Sequence, residues 1–297
     1  MLGKASIPAL RRQIDRIDDQ LLRLLNRRAR LALAIGAQKA RSHAAVYAPA
    51  REKGVLARLV RANPGPLDER LVRAVFREII SASRSLEQRV RVAYLGPEAT
   101  FTHLAARQVF GAAAQFRPSA SVADVFHDVE SGRVDLGIVA VENSTEGMVA
   151  HTLDLLAESP LAICAEVSLA VRHCLLARPG TALAGVAQVV AHPQALAQCR
   201  AWLAAHLPGV PTAPEASNAR AAERAQAEPG VAAIAAEAAA EAYGLAVLAH
   251  AVQDDPANLT RFLVLGRQDA ERPSGDDKTS ILFSVRDEIG VLSRMLR

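Results

Sequence analysis

Apolar residues and one charge form a regular stripe near the start of the chain: Leu10, Ile14, Ile17, Leu21, Leu24, Arg28, Leu31 and Ile35, at spacings of 4, 3, 4, 3, 4, 3 and 4. That alternation predicts a helix of roughly thirty residues with one inward face. Arg28 is the anomaly on that face. Either its guanidinium snorkels out or pairs with a carboxylate, or it is kept inside to bind a buried anion. Lys39 follows 11 residues later, which is about three turns and ~16 Å along the same face. Arg11 lies 17 residues before Arg28, about 25 Å away on another face. One helix cannot bring both arginines to a single small ligand, so Arg11 is expected to act from a second chain.

A second helix is predicted from Pro49, a residue suited to a first turn, through Arg51, Glu52, Val55, Leu56 and Leu59. The loop NPGPLD (63–68) ends it, and Asp68 is placed to cap a third helix carrying Leu71, Val72, Val75, Phe76, Ile79, Ile80, Ser83 and Leu86. Ser83 and Glu87 are four apart and share a face. After Gln88 the period changes. Strands are expected at 91–95, 134–141, 161–170, 188–191 and 231–235, with a last apolar run from Phe262 to Leu265. Helices are expected at 103–110, 121–130 and 148–157, with another opened by HPQALAQC and an Ala-rich one stopped by Gly244. Such alternation predicts an α/β domain with mostly parallel strands. Thr260 and Arg261 lead into the last apolar run, and polar residues gather where strands end: Thr100, Glu142 to Gly147, and His192 to Gln194. In open α/β sheets that is where ligands bind. Taken singly, each has a plainer reading: Thr100 as a helix cap, Asn143 and Ser144 as turn residues, His192 as a structural histidine.

Composition narrows the class. The chain has 297 residues and is 51% hydrophobic, enough for two domains with real cores. Residues 1–90 carry 19 Lys and Arg against 8 Asp and Glu, whereas residues 91–297 carry 16 against 23. The basic first third suits a small anion or nucleic acid. There is no aromatic interleaving of the kind single-strand binders use, which disfavours nucleic acid. Three cysteines without a CxxC pair suit reduced thiols in a cytoplasm. Met1 to Gln13 has no apolar signal core, and the uncharged stretch 179–199 is too rich in Pro and Gly for a membrane span. No phosphate-binding or dinucleotide glycine pattern is present, and the histidines show no metal-ligand spacing. Neither a metal nor a cofactor is expected.

The ordered set ALRRQID with Arg11, NRRAR with Arg28, Lys39, Arg51-Glu52 and IISASRSLEQ resembles the all-helical chorismate mutases over residues 9 to 89. The resemblance implies an intertwined homodimer that rearranges chorismate to prephenate without nucleophile or metal. It implies that Arg11 and Arg28 bind the substrate carboxylates, that Lys39 and Glu87 serve the ether oxygen, and that Glu52 takes the hydroxyl. Arg51 and Ser83 would support binding. Where some relatives have aspartate, this chain has Ala48.

Six further motifs, YLGPEATF (94–101), VENSTEG (141–147), AHPQALAQC (191–199), SNARAA (217–222), AAIAAEAAAEAYGL (232–245) and NLTRFLVLG (258–266), resemble prephenate dehydratase. That family's fold implies two α/β lobes with a cleft, like a periplasmic binding protein, and a final strand crossing back to the first lobe. It further implies loss of CO2 and the ring hydroxyl from prephenate to give phenylpyruvate. Thr260 would assist the leaving hydroxyl. Thr100, Asn143, Ser144, Thr145, Gln194 and Arg261 would contact substrate, with Arg261 either binding a carboxylate or bracing its loop. Phe262 would anchor the strand at the site. Ala99 and Ala191 replace the usual glycine and serine, and Thr102 replaces a serine. Ala99 would be strained if that position requires positive φ.

Residues 271–277 read as a polar linker, 278–285 as a strand and 287–297 as a helix start, resembling the opening of an α+β ACT domain. The expected organisation is therefore a mutase domain (1–90), a dehydratase domain (91–270) and an incomplete ACT segment (276–297). An incomplete ACT domain would weaken feedback, leaving L-phenylalanine at most a weak effector. The competing reading keeps the mutase but makes the second domain an inactive ligand sensor.

Overall fold

The computed structural model describes residues 6–42, 47–267, 277–281, 290 and 293–294. Helix α1 (Ile7–Ser42) is followed by α2 (Pro49–Ala62) and α3 (Glu69–Glu87). Asp68 caps α3 through a hydrogen bond from Leu71 N at 2.8 Å. By helical rise α1 is about 54 Å long and α3 about 29 Å, so α3 can cover only part of it. The two helices pack tightly at Gly36, where a Cβ would stand 3.0 Å from Glu87 Cβ. Much of the predicted inward stripe therefore has no cover among the described residues. Leu24 is 60% exposed, and Ile14, Ile17, Leu21, Leu31 and Ile35 are exposed as well.

Three residues after α3 the chain enters β1 (Arg91–Leu95), then α4 (Phe101–Phe110), β2 (Gln115–Ser119), α5 (Val122–Glu130), β3 (Leu136–Asn143), β4 (Gly147–Met148), α6 (Ala150–Glu158) and β5 (Ala162–Ala170). It then builds β6 (Cys174–Ala177), β7 (Gln188–Ala191), α7 (Pro193–Gln198), α8 (Arg200–His206), β8 (Thr212–Pro214), α9 (Asn218–Ala227), β9 (Val231–Ala235), α10 (Ala238–Tyr243) and β10 (Ala246–Ala249). Strand β11 (Leu259–Gly266) closes the fold. Gly244 ends α10 at φ 63°, as its position in the sequence predicts.

Two sheets result. The first has the order β2-β1-β3-β11-β5 with β4 on β3, and the second has the order β10-β6-β9-β7-β8. The expectation of mostly parallel strands fails. β1 runs parallel to β2 and β3, and β7 to β8 and β9, but β11 is antiparallel to both its neighbours and β6 to both of its own. The two β11 pairs are antiparallel because that strand re-enters the first sheet after the chain has built the second.

The chain crosses between sheets twice, and the crossings are bonded together. Val171 N donates to Asn258 O at 2.8 Å, Val252 N to His173 O at 2.9 Å, and His173 N to Gln253 Oε1 at 2.9 Å. The β1–α4 loop reaches across as well. Ala99 packs in the core of the second lobe with Leu176, Val190 and Ala233, and Tyr243 Oη donates to Glu98 O at 3.4 Å. Ala99 does adopt positive φ, at 62°. Its left-handed strain is set against a methyl buried in the opposite lobe. All three cysteines are free thiols, and burial pushes Cys199 up to about 12. The predicted linker 271–277 and helix start 287–297 lie almost wholly outside the described residues. Of the predicted strand 278–285, residues 278–281 are described and carry no strand, and the remainder lies outside them.

Two histidines sit at this junction. His103 Nδ1 accepts from Ala99 N at 3.1 Å, and its ring stacks on Tyr94 at 4.7 Å. His173 is buried against Phe101 and bonds Gln198 Oε1 through Nε2 at 3.1 Å. Burial lowers both from the usual imidazole range, more than hydrogen bonding or nearby charge restores. The folded state therefore takes up these protons at lower pH than the unfolded chain does. Their contribution to stability is full above about pH 6.5 and is lost as pH falls below it. Denaturant midpoints measured from pH 8 to pH 5 should fall below about pH 6.5, and less so in the His103→Gln/His173→Gln double variant.

Candidate active sites

In the helical module, the C-terminal half of α1 and α3 run in the same sense, so Arg28 meets α3 one turn before Lys39 meets its end. Arg28 Nη1 donates to Ser83 Oγ and, at 3.3 Å, to Ile79 O. Lys39 Nζ lies 3.7 Å from Glu87 Oε2, a buried oxygen that accepts no hydrogen bond. Glu52 of α2 points at the same face and is bound by Arg84 at 2.6 Å. The structure thus brings Arg28, Lys39, Glu52, Ser83 and Glu87 to one seam. Arg51 is exposed one position away from Glu52, and Arg11 is exposed on the distant part of α1.

In the α/β module the centre is the Asn143 side chain. Its Oδ1 accepts from Thr145 N at 3.0 Å and Glu146 N at 3.2 Å. That fixes which end of the amide is which. Nδ2 must then face Asn258 Oδ1 at 2.9 Å and Thr260 Oγ1 at 2.8 Å, both as acceptors. The Thr260 oxygen is occupied as acceptor, so its own hydrogen is the part left to give. The turn is held by backbone as well: Ser144 N donates to Leu259 O at 2.8 Å, and Leu259 N donates to Ser144 Oγ at 2.9 Å. Asn258 is 1% exposed and belongs to the second crossing segment. It escapes sequence reading because a single asparagine after a proline turn reads as a loop residue.

Arg261 does not share Thr260's face. Neighbouring strand residues point to opposite sides of a sheet, and Arg261 pairs instead with Glu142 at 2.9 Å and Glu166 at 3.5 Å. Phe262 is 2% exposed in a core with Val92, Tyr94 and Phe110, an anchor for β11 and not a lining residue. Thr100 is the helix cap: its hydroxyl donates to Leu95 O at 3.2 Å and accepts from His103 N at 3.3 Å. His192 likewise caps α7, accepting from Gln194 N at 3.3 Å. Gln194 sits half-buried at the start of α7 in the second lobe.

Comparison with known proteins gives two family matches. Residues 10–88 match the family model described as Chorismate mutase type II, and residues 92–270 match Prephenate dehydratase. A bifunctional chorismate mutase/prephenate dehydratase of Stutzerimonas stutzeri is 45% identical over 295 residues, covering 98% of this chain and 80% of that protein. The protein of the same name from Pseudomonas aeruginosa is 44% identical over 301 residues, covering 100% and 82%. Among solved structures, a prephenate dehydratase of Arthrobacter aurescens in complex with L-Phe is 33% identical, with a TM-score of 0.59, and covers 70% of this chain and 71% of that one.

The fixed amide makes a specific variant informative. Asn143→Asp replaces the donor facing Thr260 with an acceptor, which captures the Thr260 hydrogen and repels Asn258 Oδ1. Unfolding free energy should fall by about 1–3 kcal/mol, read by denaturant titration. Turnover of prephenate should fall by about 100-fold or more.

Proposed function

The chain belongs to the bifunctional chorismate mutase/prephenate dehydratase family, and on that premise we propose how its residues divide the two reactions. The protein rearranges chorismate to prephenate and converts prephenate to phenylpyruvate, two steps of L-phenylalanine biosynthesis. We assign residues 1–90 to the mutase and 91–270 to the dehydratase, a division supported by the end of α3 at Glu87 and the start of β1 at Arg91.

For the mutase, catalysis is a matter of holding chorismate folded and stabilising the charge on the breaking ether. Arg28, braced by Ser83, takes one carboxylate. Lys39 and Glu87 face the ether oxygen, and Glu52 accepts from the hydroxyl. Arg51 lends charge at the rim. Arg11 completes the site from a second copy, a reading supported by the uncovered apolar stripe of α1 and the distance between Arg11 and Arg28. The homodimer is proposed on the support of the same two observations.

For the dehydratase, the single observation that carries the assignment is the Thr260 hydroxyl, pinned as acceptor by Asn143 and free to donate. It gives a hydrogen bond to the departing ring hydroxyl while CO2 leaves and the ring aromatises. Thr145 and Ser144 line the turn beside it, and Thr100 sets the start of α4 near the junction of the lobes. Gln194 meets the substrate from the second lobe as the two lobes close in the manner of a periplasmic binding protein. Arg261 acts through Glu142 and Glu166, keeping β11 in register. L-Phenylalanine is a candidate effector, supported by its presence in the Arthrobacter relative. Free thiols support a cytoplasmic setting.

Purified chain should turn chorismate into phenylpyruvate with prephenate as a transient. Thr260→Ala should reduce dehydration by about 100-fold or more while mutase turnover persists, so that prephenate accumulates. Thr260→Ser, which keeps the hydroxyl, should retain much more activity. Full dehydratase turnover in Thr260→Ala would remove Thr260 from the chemistry.

A further inference from the structure

Arg84 was not singled out by its place in the sequence, yet it is 6% exposed and fully engaged. Nη1 binds Glu52 Oε1 at 2.6 Å, and Nη2 donates to Phe110 O at 2.6 Å. Its guanidinium also lies 5.4 Å from the centre of the Tyr47 ring and 5.6 Å from that of Phe110. The two rings are themselves 5.0 Å apart. Phe110 is the last residue of α4 and belongs to the α/β core, so Arg84 has one hand in each module.

The surroundings are built to receive it. Gly111, at φ 69°, follows Phe110, and a Cβ there would stand 2.5 Å from Ser81 Cβ. Ala112 N donates to Glu78 Oε2 at 3.0 Å and Ala113 N to Ser81 Oγ at 3.2 Å. The end of α4 and the residues just after it are thus gripped by three successive turns on one face of α3: Glu78, Ser81 and Arg84. A planar guanidinium can serve a carboxylate and a carbonyl at once in a fixed fork, which a lysine ammonium cannot do with the same orientation.

We infer that Arg84 is a positioning residue for the mutase reaction, holding the Glu52 carboxylate toward chorismate from an anchor supplied by the dehydratase module. This deepens, and rests on, the reading of Glu52 as acceptor for the substrate hydroxyl. The groups facing Glu52 are Arg84 and Glu87 from α3, Lys39 from α1, and Tyr47 from the segment before α2. Burial raises the Glu52 carboxyl above the ordinary range, and Arg84 and Lys39 oppose that rise. Removing Arg84 takes away the larger opposition, so Glu52 takes up its proton at higher pH and is ionised over a narrower range.

The test uses the full chain and its variants Arg84→Ala, Arg84→Lys, Glu52→Gln and Glu52→Gln/Arg84→Ala, with mutase kcat/KM for chorismate measured from pH 5.5 to 9. Arg84→Ala should lower kcat/KM by about tenfold or more and move the acidic limb of the profile to higher pH. Arg84→Lys keeps the charge but not the fork, so the limb should stay in place with a smaller loss of rate. In the Glu52→Gln background, Arg84→Ala should add little. An Arg84→Ala profile that superimposes on the parent, with only a lower melting temperature, would overturn the inference. So would an equal Arg84→Ala loss in the Glu52→Gln background. If Arg84→Ala does not fold, an Arg84→Lys variant with parental kcat/KM throughout has the same force. Parental mutase activity in Glu52→Gln would instead bring down the Glu52 reading itself, and the inference with it.

Discussion

Strand β11 must lie between β3 and β5 in one register, and most of the α/β module answers to that requirement. The pairing sets Thr260 opposite Asn143 and Arg261 opposite Glu142. Because side chains alternate, a slip of one residue would turn Thr260 away from Asn143 and send a guanidinium into its place. The paired carboxylates on the other face, Glu142 and Glu166, guard against that slip by holding Arg261. The buried apolar run Phe262 to Leu265 then fixes the rest of the strand in the core. A hydroxyl poised for chemistry is thus kept in position by neighbours that never meet the substrate.

The two modules meet across a seam of polar groups, of which Ser81 and Arg84 are buried. Arg84 is matched to the Glu52 carboxylate and the Phe110 carbonyl, and Glu78 and Ser81 to the backbone amides of Ala112 and Ala113. Every donor named there finds an acceptor. Losing one side of such a set costs several kcal/mol, about 3–5 for a buried ion pair broken by truncation. The seam is therefore specific: it accepts one orientation of α3 against the end of α4.

Much of this was legible in the order of residues. Periodicity and caps predict the three long helices, including the start at Asp68, and the apolar runs predict β1, β3, β5, β7, β9 and β11. The motifs predict the polar strand termini, among them Asn143 and Thr260. The other strands were not legible. β2 contains Pro118 and has a mostly exposed pattern, and β6, β8 and β10 span four residues or fewer, so their pairing depends on neighbours distant in the chain. Strand direction was not legible either, because a residue pattern does not say from which side the last strand re-enters. Arg84 is one cation in a basic third of the chain. Only the approach of Phe110, 26 residues away, separates it from the rest.

Helix α4 is ten residues long, a rod of about 15 Å. Its first turn begins beside the junction of the two lobes, and its last turn is held by the mutase helices. A rod gripped at both ends cannot be lengthened freely: each added residue turns the far end by about 100° and advances it by about 1.5 Å. Insertions that surface loops elsewhere in the chain would absorb would here rotate Phe110 out of the grip of Arg84. The number of residues in this one helix is therefore constrained by geometry, independent of which residues they are.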